Sequence, residues 1–307
     1  MNQDEPAIQI NDLTKSFGRK RVLERLSLSV PRGSIFGFVG LNGAGKTTTI
    51  RCLLGLERYQ GGECRVLGLD AARQSLAIRQ RVGYMAESQK MYDFMTVKQI
   101  IHWVGRFYPT WDDTLAAALC EQMQLPPTDK VGVLSKGQTS KLALLLALAH
   151  RPELVILDDP TLGLDPIARR DFMRDVIGQL QSRGVTVFFS SHLLYEIEPV
   201  VDWVCILHEG KALKISRTEA LRDSVKSVML RPRDGAALAD VPGILDVQQV
   251  DRRVSVVVED LKAARPALDR CSADGLEVSD LNLDEIFEAY VIGRRELTGV
   301  GAGVASE

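Results

Sequence analysis

Short apolar runs alternate with helix-like stretches along roughly the first 220 residues of the chain. Three runs are almost continuously apolar, at residues 33–40, 152–159 and 184–192, which is typical of strands buried on both faces of a sheet. Helix-like stretches follow the first two runs, at 46–56 and 166–180. The alternation predicts an α/β domain built on a parallel sheet.

The stretch from residue 90 to residue 150 has a more helical pattern. Apolar residues recur at helical spacing after Thr96, which is a suitable N-cap residue. Two prolines, Pro126 and Pro127, interrupt this pattern, and a second helix is predicted from the glycine turn near residue 137. We expect Trp103 and Trp111 to lie in the core.

The pattern changes again from about Ser224. Short strands and helices are predicted in turn, with strands at 226–233, 244–250 and 253–260 and helices at 260–270 and 282–296. This pattern predicts a separate small α+β domain over residues 224–296. The small and polar residues 297–307 are predicted to form a flexible tail.

Composition limits the class of protein. Hydrophobic residues make up 45% and charged residues 25% of 307 residues, and the net charge is −2. This balance offers no basic surface for nucleic acid. The five cysteines form no CxxC pair, which favours a reduced cytosolic chain. The acidic start is unlike a signal peptide, and the most apolar run, 142–149, is too short to span a bilayer.

The stretch GLNGAGKTT, residues 40–48, fits the phosphate-binding pattern G-x-x-x-x-G-K-[ST]. Its glycines allow backbone N–H groups to turn inward around phosphate oxygens, at the start of a helix whose dipole attracts anions. In such a loop Lys46 reaches the outer phosphates and Thr47 binds Mg²⁺. A chance glycine-rich turn is the alternative, but the strand before and the helix after favour the functional interpretation.

The run LVILDDP, residues 154–160, ends a buried strand with two neighbouring acids. Asp158 fits the carboxylate that holds Mg²⁺ opposite a phosphate loop. A strand that ends in Asp before a turn is also common, but its pairing with the loop at 40–48 favours a metal-binding role.

The ordered motifs resemble those of the ATP-binding cassette (ABC) ATPases. LSKGQ at 134–138 resembles the family signature, VGYMAES at 82–88 resembles the Q-loop segment, and SSH at 190–192 resembles the switch-histidine segment. The resemblance covers the predicted domain 7–222, with a helical subdomain at about 88–150. It implies a P-loop NTPase fold and is strongest to the ATP-binding subunits of ABC-2-type exporters.

The resemblance also implies roles for individual residues. Asp159, His192 and Glu87 would be catalytic, and Thr47, Glu87 and Asp158 would hold Mg²⁺. The residues implied in ATP binding are Phe17, which would stack on adenine, Val22, Asn42, Gly43, Ala44, Gly45, Lys46, Thr47, Thr48, Ser135, Gly137 and Gln138. Two cassettes would close head to tail, so that Ser135 and Gly137 serve the partner's ATP, and Asp165 would help to couple the sites.

Three positions depart from the common cassette pattern. Glu87 replaces the Q-loop glutamine, and Lys136 replaces a signature glycine, where it either faces solvent or approaches the partner's nucleotide. Asp159 replaces the usual glutamate, which places its carboxylate roughly 1.5 Å further from the water. A displacement of about 1 Å lowers rates by on the order of a hundredfold, so the expected hydrolysis is slow.

The resemblance implies a membrane permease and a second cassette as partners, without nucleic acid, at the cytoplasmic face of the membrane. We favour a homodimer, although Asp159 also fits a degenerate cassette that regulates a different, active one. Residues 88–96 either dock on the permease or pack within the helical subdomain. The C-terminal domain either supports dimer contact or regulation, or is a structural appendage. A translation or DNA-repair cassette fits less well, because the chain has a single cassette and no long coiled coil.

Overall fold

The computed structural model describes residues 5–181, 184–192, 194–233 and 238–293. The chain divides into two compact units, Met1–Ile215 and Ser216–Glu307. The division lies within a strand, seven residues before the predicted end of the first domain at residue 222. The predicted tail 297–307 and the end of the predicted C-terminal helix lie outside the described residues.

The elements of the first unit follow one another in α/β order. Its strands are β1 (Ile8–Phe17), β2 (Lys20–Val30), β3 (Ile35–Gly40), β4 (Gly61–Val66), β5 (Leu69–Asp70), β6 (Val82–Met85), β7 (Leu154–Asp158), β8 (Thr186–Ser191), β9 (Trp203–His208) and β10 (Lys211–Arg217), which crosses the boundary. Its helices are α1 (Lys46–Leu53), α2 (Ser75–Arg81), α3 (Val97–Gly105), α4 (Asp113–Gln122), α5 (Lys136–Leu148), α6 (Pro166–Gln181) and α7 (Leu194–Ile197), with a 3-10 turn at Val131–Val133.

A six-stranded sheet with the order β10-β9-β3-β8-β7-β6 forms the centre of this unit. Strands β9, β3, β8, β7 and β6 pair in parallel, and every residue of β3, β7 and β8 is buried. Continuous apolar runs are therefore the right pattern for these strands, because both faces of the sheet are covered. The parallel pairing brings the ends of β3, β7 and β8 to the same edge of the sheet, which is where ligands bind in open α/β sheets.

A second sheet, with the order β2-β1-β4-β5, pairs its strands antiparallel and shares a hydrophobic core with the first. The strand patterns of the sequence did not predict this sheet. The register of β1 against β2 shifts three times, and Asp12 and Arg25 have positive φ angles of 49° and 50°. Each shift interrupts the two-residue alternation by which an antiparallel strand is recognised in a sequence.

The helical segment contains helices α3 to α5. Thr96 caps α3 and Ser135 caps α5, in both cases through a capping box with the glutamine three residues later. The prediction that Trp103 lies in the core was wrong, because its side chain is 37% exposed and meets the exposed rings of Tyr92 and Phe107 edge-on. Within the described residues, no helix has the length and apolar character needed to cross a membrane.

The second unit is an antiparallel sheet with packed helices. Its elements are α8 (Thr218–Ser224), β11 (Lys226–Leu230), a 3-10 turn at Leu238–Asp240, β12 (Ile244–Val250), β13 (Arg253–Val258), α9 (Leu261–Cys271), β14 (Glu277–Ser279) and α10 (Leu283–Val291). The strand order is β12-β13-β11-β14, and Val228, Val256 and Leu268 belong to its core. The predicted α+β pattern thus has a matching sheet and helices, with β14 as an additional short edge strand.

His150 is a buried polar residue at the end of α5. The residue is 1% exposed, its ring stacks on Tyr108 at 4.1 Å, and neither ring nitrogen has a hydrogen-bond partner among the described residues. Burial lowers the pKa of His150 from 6.5 to about 4. Backbone groups of Val82 and Leu146 lie near the ring and raise the pKa of His150 by a smaller amount. Their geometry does not reach that of a hydrogen bond.

The folded chain therefore favours the neutral form of His150, which predicts a pH-dependent stability. Because the pKa is lower in the folded chain, this stability is complete above pH 6.5 and is lost as the pH falls towards 4. A shift of this size corresponds to about 3 kcal/mol. Urea unfolding of wild type and His150→Phe between pH 7.5 and about 4.5 measures it, and we expect a flatter pH dependence in the variant. His102→Phe, on the exposed side of α3, is the control; parallel curves for wild type and His150→Phe would contradict the prediction.

Candidate functional site

The phosphate loop connects the end of β3 to the start of α1. Gly43 and Gly45 have φ angles of 83° and 113°, which residues with a Cβ rarely adopt. A Cβ on Gly45 would also lie 2.6 Å from Leu23 Cδ2, so the loop lies directly against β2. The amide groups of this loop and of the first turn of α1 are therefore arranged as in an anion-binding site.

Lys46 turns back over the loop and is 6% exposed. Its Nζ donates a hydrogen bond of 2.9 Å to Gly40 O and lies 3.5 Å from Asp159 Oδ2. Both partners are oxygens that attract a cation, so the ammonium is stabilised at the mouth of the loop. An anionic ligand in the loop would compete with them for Lys46.

Asp158 ends strand β7 and is completely buried. Its Oδ1 accepts hydrogen bonds from Ser190 Oγ at 2.7 Å and Thr47 Oγ1 at 3.3 Å, but its Oδ2 has no partner among the described residues. Burial is the main cause of its raised pKa, and the charges of Asp159 and Glu87 raise it further. Within the part of the chain that the structure describes, this carboxylate has no positively charged partner.

These residues fit a magnesium ion. A free carboxylate oxygen beside a threonine hydroxyl is a suitable ligand pair, and Glu87 lines the same cavity. Over the described part of the chain, no three acidic, His or Cys side chains are clustered as a complete metal site. Mg²⁺ is usually held by one or two carboxylates and completes its shell with phosphate oxygens and water.

Asp159 connects Lys46 of the phosphate loop with His192, which directly follows β8. It is 7% exposed, its Oδ1 lies 2.8 Å from His192 Nδ1, and its Oδ2 faces Lys46. The backbone N–H of His192 donates to the same Oδ1 at 3.2 Å. Asp159 has a φ of 42°, a left-handed conformation that Asp tolerates better than most residues, and its N–H donates to Ser190 O. The turn after β7 thereby aims the carboxylate at Lys46 and His192.

A cavity of about 350 Å³ lies above the phosphate loop. Its lining residues are Lys20, Val22, Asn42, Gly43, Gly45, Lys46, Thr47, Thr48, Glu87 and Asp159. Ala44 is buried beside it, where its carbonyl accepts from Gly210 N. The sequence analysis did not predict Lys20 as a site residue. Lys20 lies outside the phosphate-binding motif at 40–48 and approaches the loop only through the β1–β2 hairpin.

The predicted signature residues do not line this cavity. Ser135, Gly137 and Gln138 lie at the start of α5, where Ser135 Oγ accepts from Gln138 N at 3.2 Å. Lys136 runs beside the turn after β7: a Cβ on Gly163 would lie 3.5 Å from Lys136 Nζ. The chain therefore presents two separate surfaces, one with the phosphate loop and one with an exposed helix start.

Two further predicted residues have clear positions. Phe17 is 46% exposed at the end of β1, paired with Lys20 across the hairpin. Asp165 lies at the start of α6, where its Oδ1 accepts from the backbone N–H groups of Ile167 and Ala168. Asp165 thus stabilises the helix start, a role that the motif did not reveal.

Comparisons with known proteins agree with this geometry. The family model described as ABC transporter matches residues 23–162, and a model described as an AAA domain, putative AbiEii toxin, matches residues 130–198. The chain is 38% identical over 209 residues to the bacitracin transport ATP-binding protein BcrA of Bacillus licheniformis, covering 67% of this chain and 68% of that protein. It is 33% identical to the Nod factor export ATP-binding protein I of Paraburkholderia xenovorans, covering 71% and 73% of the two chains.

Solved structures lead to the same conclusion. An ATP-binding subunit of an ABC transporter superposes with a TM-score of 0.64 at 26% identity, covering 70% of this chain and 92% of the other. A dimeric ATP-binding cassette bound to ADP and Pi shares the fold with a TM-score of 0.61 at 18% identity, covering 69% and 98% of the two chains. The chain therefore belongs to the ABC transporter family, as one of its ATP-binding subunits, which hydrolyse ATP to power transport by a separate membrane permease.

Proposed function

We propose that this subunit hydrolyses Mg·ATP slowly and powers an exporter of the ABC-2 type. The observation that carries the proposal is the contact of one short carboxylate, Asp159, with both Lys46 and His192 beside the free oxygen of Asp158. The relative named for Nod factor export supports the export direction.

The phosphate loop and Lys46 bind the triphosphate, and Thr47, Asp158 and Glu87 hold Mg²⁺, which neutralises phosphate charge when bound. The ammonium of Lys46 changes partner from Asp159 and Gly40 to phosphate oxygens. Phe17 pairs with Lys20, which lines the cavity. We infer that the Phe17 ring receives the base of the nucleotide.

Asp159 acts as the general base, and His192 orients it. The contact of 2.8 Å fits an N–H on Nδ1 that donates to Asp159 Oδ1, which leaves Nε2 of the same ring available to the nucleotide. Since an Asp carboxylate extends one methylene less than Glu, the attacking water lies further from it than from a Glu carboxylate. We therefore infer slow turnover rather than loss of hydrolysis.

A second copy of the chain completes the site. The capped start of α5 offers the backbone N–H groups of its first turn, which suit the outer phosphate of a nucleotide bound to the other copy. The phosphate cavity lacks these residues in the single chain, which favours a head-to-tail pair. We favour a homodimer, because Ser135, Gly137 and Gln138 are all present.

A permease is the proposed partner at the helical segment. Tyr92 and Phe94 are 46% and 69% exposed, and with Trp103 and Phe107 they form a row of contacting aromatic rings. A cavity of about 330 Å³ lined in part by Met91, Tyr92 and Trp103 lies beside this row. Exposed aromatic side chains around a groove are typical of protein interfaces, so residues 88–96 are proposed to dock. We therefore propose that the subunit works at the cytoplasmic face of the membrane.

A regulatory cassette with little hydrolysis is the alternative function. The observation that favours it is again Asp159, whose two carboxylate oxygens already have partners within the chain. In that case the chain binds ATP tightly and pairs with a different cassette that carries the active site.

ATP turnover of Asp159 variants distinguishes the two functions. Asp159→Asn keeps the size of the side chain but removes the base, so we expect turnover to fall by about a hundredfold. Asp159→Glu extends the carboxylate, so we expect turnover to rise roughly tenfold. Phosphate release by the purified chain measures both. Equal turnover of wild type and Asp159→Asn would show that Asp159 is not the base, and slower turnover of Asp159→Glu would contradict the shortened-acid argument.

Site-specific crosslinking tests the permease surface. A photoreactive phenylalanine analogue at Phe94, introduced in cells that naturally make the protein, is expected to crosslink to a membrane protein with several spans. The same analogue at Leu76 on α2, which is 65% exposed and is not one of the four contacting aromatic residues, is the matched control. Mass spectrometry of the products identifies the partner, and equal crosslinking at both positions or none at Phe94 would contradict the docking proposal.

A further inference from the structure

Lys15 is a buried charged side chain on β1, two residues before Phe17. The residue is 5% exposed, and its Nζ donates to Arg58 O at 2.6 Å and to Glu57 Oε2 at 3.1 Å. The same ammonium lies 4.2 Å from the centroid of the Phe17 ring. Burial of a lysine requires such partners, because an unpaired ammonium is strongly destabilised away from water.

The ammonium occupies one face of the Phe17 ring. A cation at this distance is attracted by the negative charge of the aromatic face, and the attraction is stronger where water is excluded. The ring is nevertheless 46% exposed, so a large part of its surface remains open to solvent. Lys15 thus holds the Phe17 ring through one face, and the exposed surface of the ring remains available to a ligand.

The backbone around Lys15 is held on the same side. Gln60 donates to and accepts from the backbone of Ser16, and its N–H donates to Thr14 O. Thr14 to Phe17 is therefore joined to the segment that supplies Glu57 and Arg58. This anchoring allows the ammonium to keep its place under the ring when a ligand binds.

The hairpin places this pair at the phosphate cavity. Phe17 pairs with Lys20, and Lys20 and Val22 line the cavity above the loop. In the proposed site, the phosphates of the nucleotide lie in the loop and its base lies at the hairpin, against Phe17.

We propose that Lys15 is a positioning residue for base recognition, which holds the Phe17 ring and polarises it for stacking on a purine. The withdrawal of electron density towards the ammonium makes the free face a better partner for an electron-rich base. The inference rests on the proposed ATP site, because it concerns the base end of that same nucleotide.

Affinities for Mg·ATP and for magnesium tripolyphosphate, measured by calorimetry, test the role of Lys15. Tripolyphosphate carries the phosphates without a base, so its affinity reports the loop alone. Lys15→Met removes the charge and keeps an unbranched side chain that is one atom shorter; we expect ATP affinity to fall roughly fivefold and tripolyphosphate affinity to stay unchanged. Lys15→Arg should retain most of the ATP affinity.

Two further variants separate the ring contact from the ion pair. Glu57→Gln breaks the ion pair but leaves the ammonium bonded to Arg58 O, so it should keep the wild-type preference for ATP. In a Phe17→Leu background, Lys15→Met should have no additional effect, because the ring through which Lys15 acts is gone. Thermal melts of all variants confirm that each one is folded.

Equal losses of ATP and tripolyphosphate affinity in Lys15→Met would overturn the inference, as would an undiminished effect in the Phe17→Leu background. A wild type that binds tripolyphosphate but prefers ATP no more than tripolyphosphate would contradict a base contact at Phe17, and with it the role of Lys15. A wild type that binds neither ligand would instead contradict the proposed ATP site itself. The failures are therefore distinguishable.

Discussion

The site depends on one carboxylate that faces a cation on one side and an imidazole on the other. Asp159 contacts Lys46 and His192, and these three residues follow three different strands of the central sheet. Only parallel strands that end at one edge bring them together. The burial of β3, β7 and β8 therefore positions the chemistry as well as stabilising the core.

The site contains a buried carboxylate, that of Asp158, whose charge is only partly compensated by the described residues. Asp158 is buried, one of its carboxylate oxygens has no hydrogen-bond partner among the described residues, and burial raises its pKa. Lys46 meanwhile is held by Gly40 and Asp159. In the proposed site, Asp158 would hold the magnesium ion and Lys46 would bind the phosphates of the nucleotide. Lys46 would then exchange its contacts within the chain for contacts with the nucleotide, which would couple nucleotide binding to the geometry of Asp159.

The sequence predicts the centre of the molecule better than its edges. Buried parallel strands appear as continuous apolar runs, and the spacing around Lys46 and Asp158 identifies a phosphate site. The antiparallel sheet was missed because bulges in β1 break its alternation. Trp103 was misplaced because a helical pattern shows which face is apolar, but not that an apolar ring is left exposed. The contact of Lys15 with Phe17 depends on a segment more than forty residues away, which no local pattern reports.

We propose that the phosphate loop and Asp159 form one nucleotide site, in which the phosphates of ATP replace Asp159 as the partner of Lys46. A crystal structure with Mg²⁺ and a non-hydrolysable ATP analogue tests it most directly. We expect Lys46 Nζ to contact a phosphate oxygen and to lie further from Asp159 Oδ2 than the present 3.5 Å, while Asp159 keeps its contact with His192. A bound analogue with Lys46 still on Gly40 and Asp159 would contradict the account.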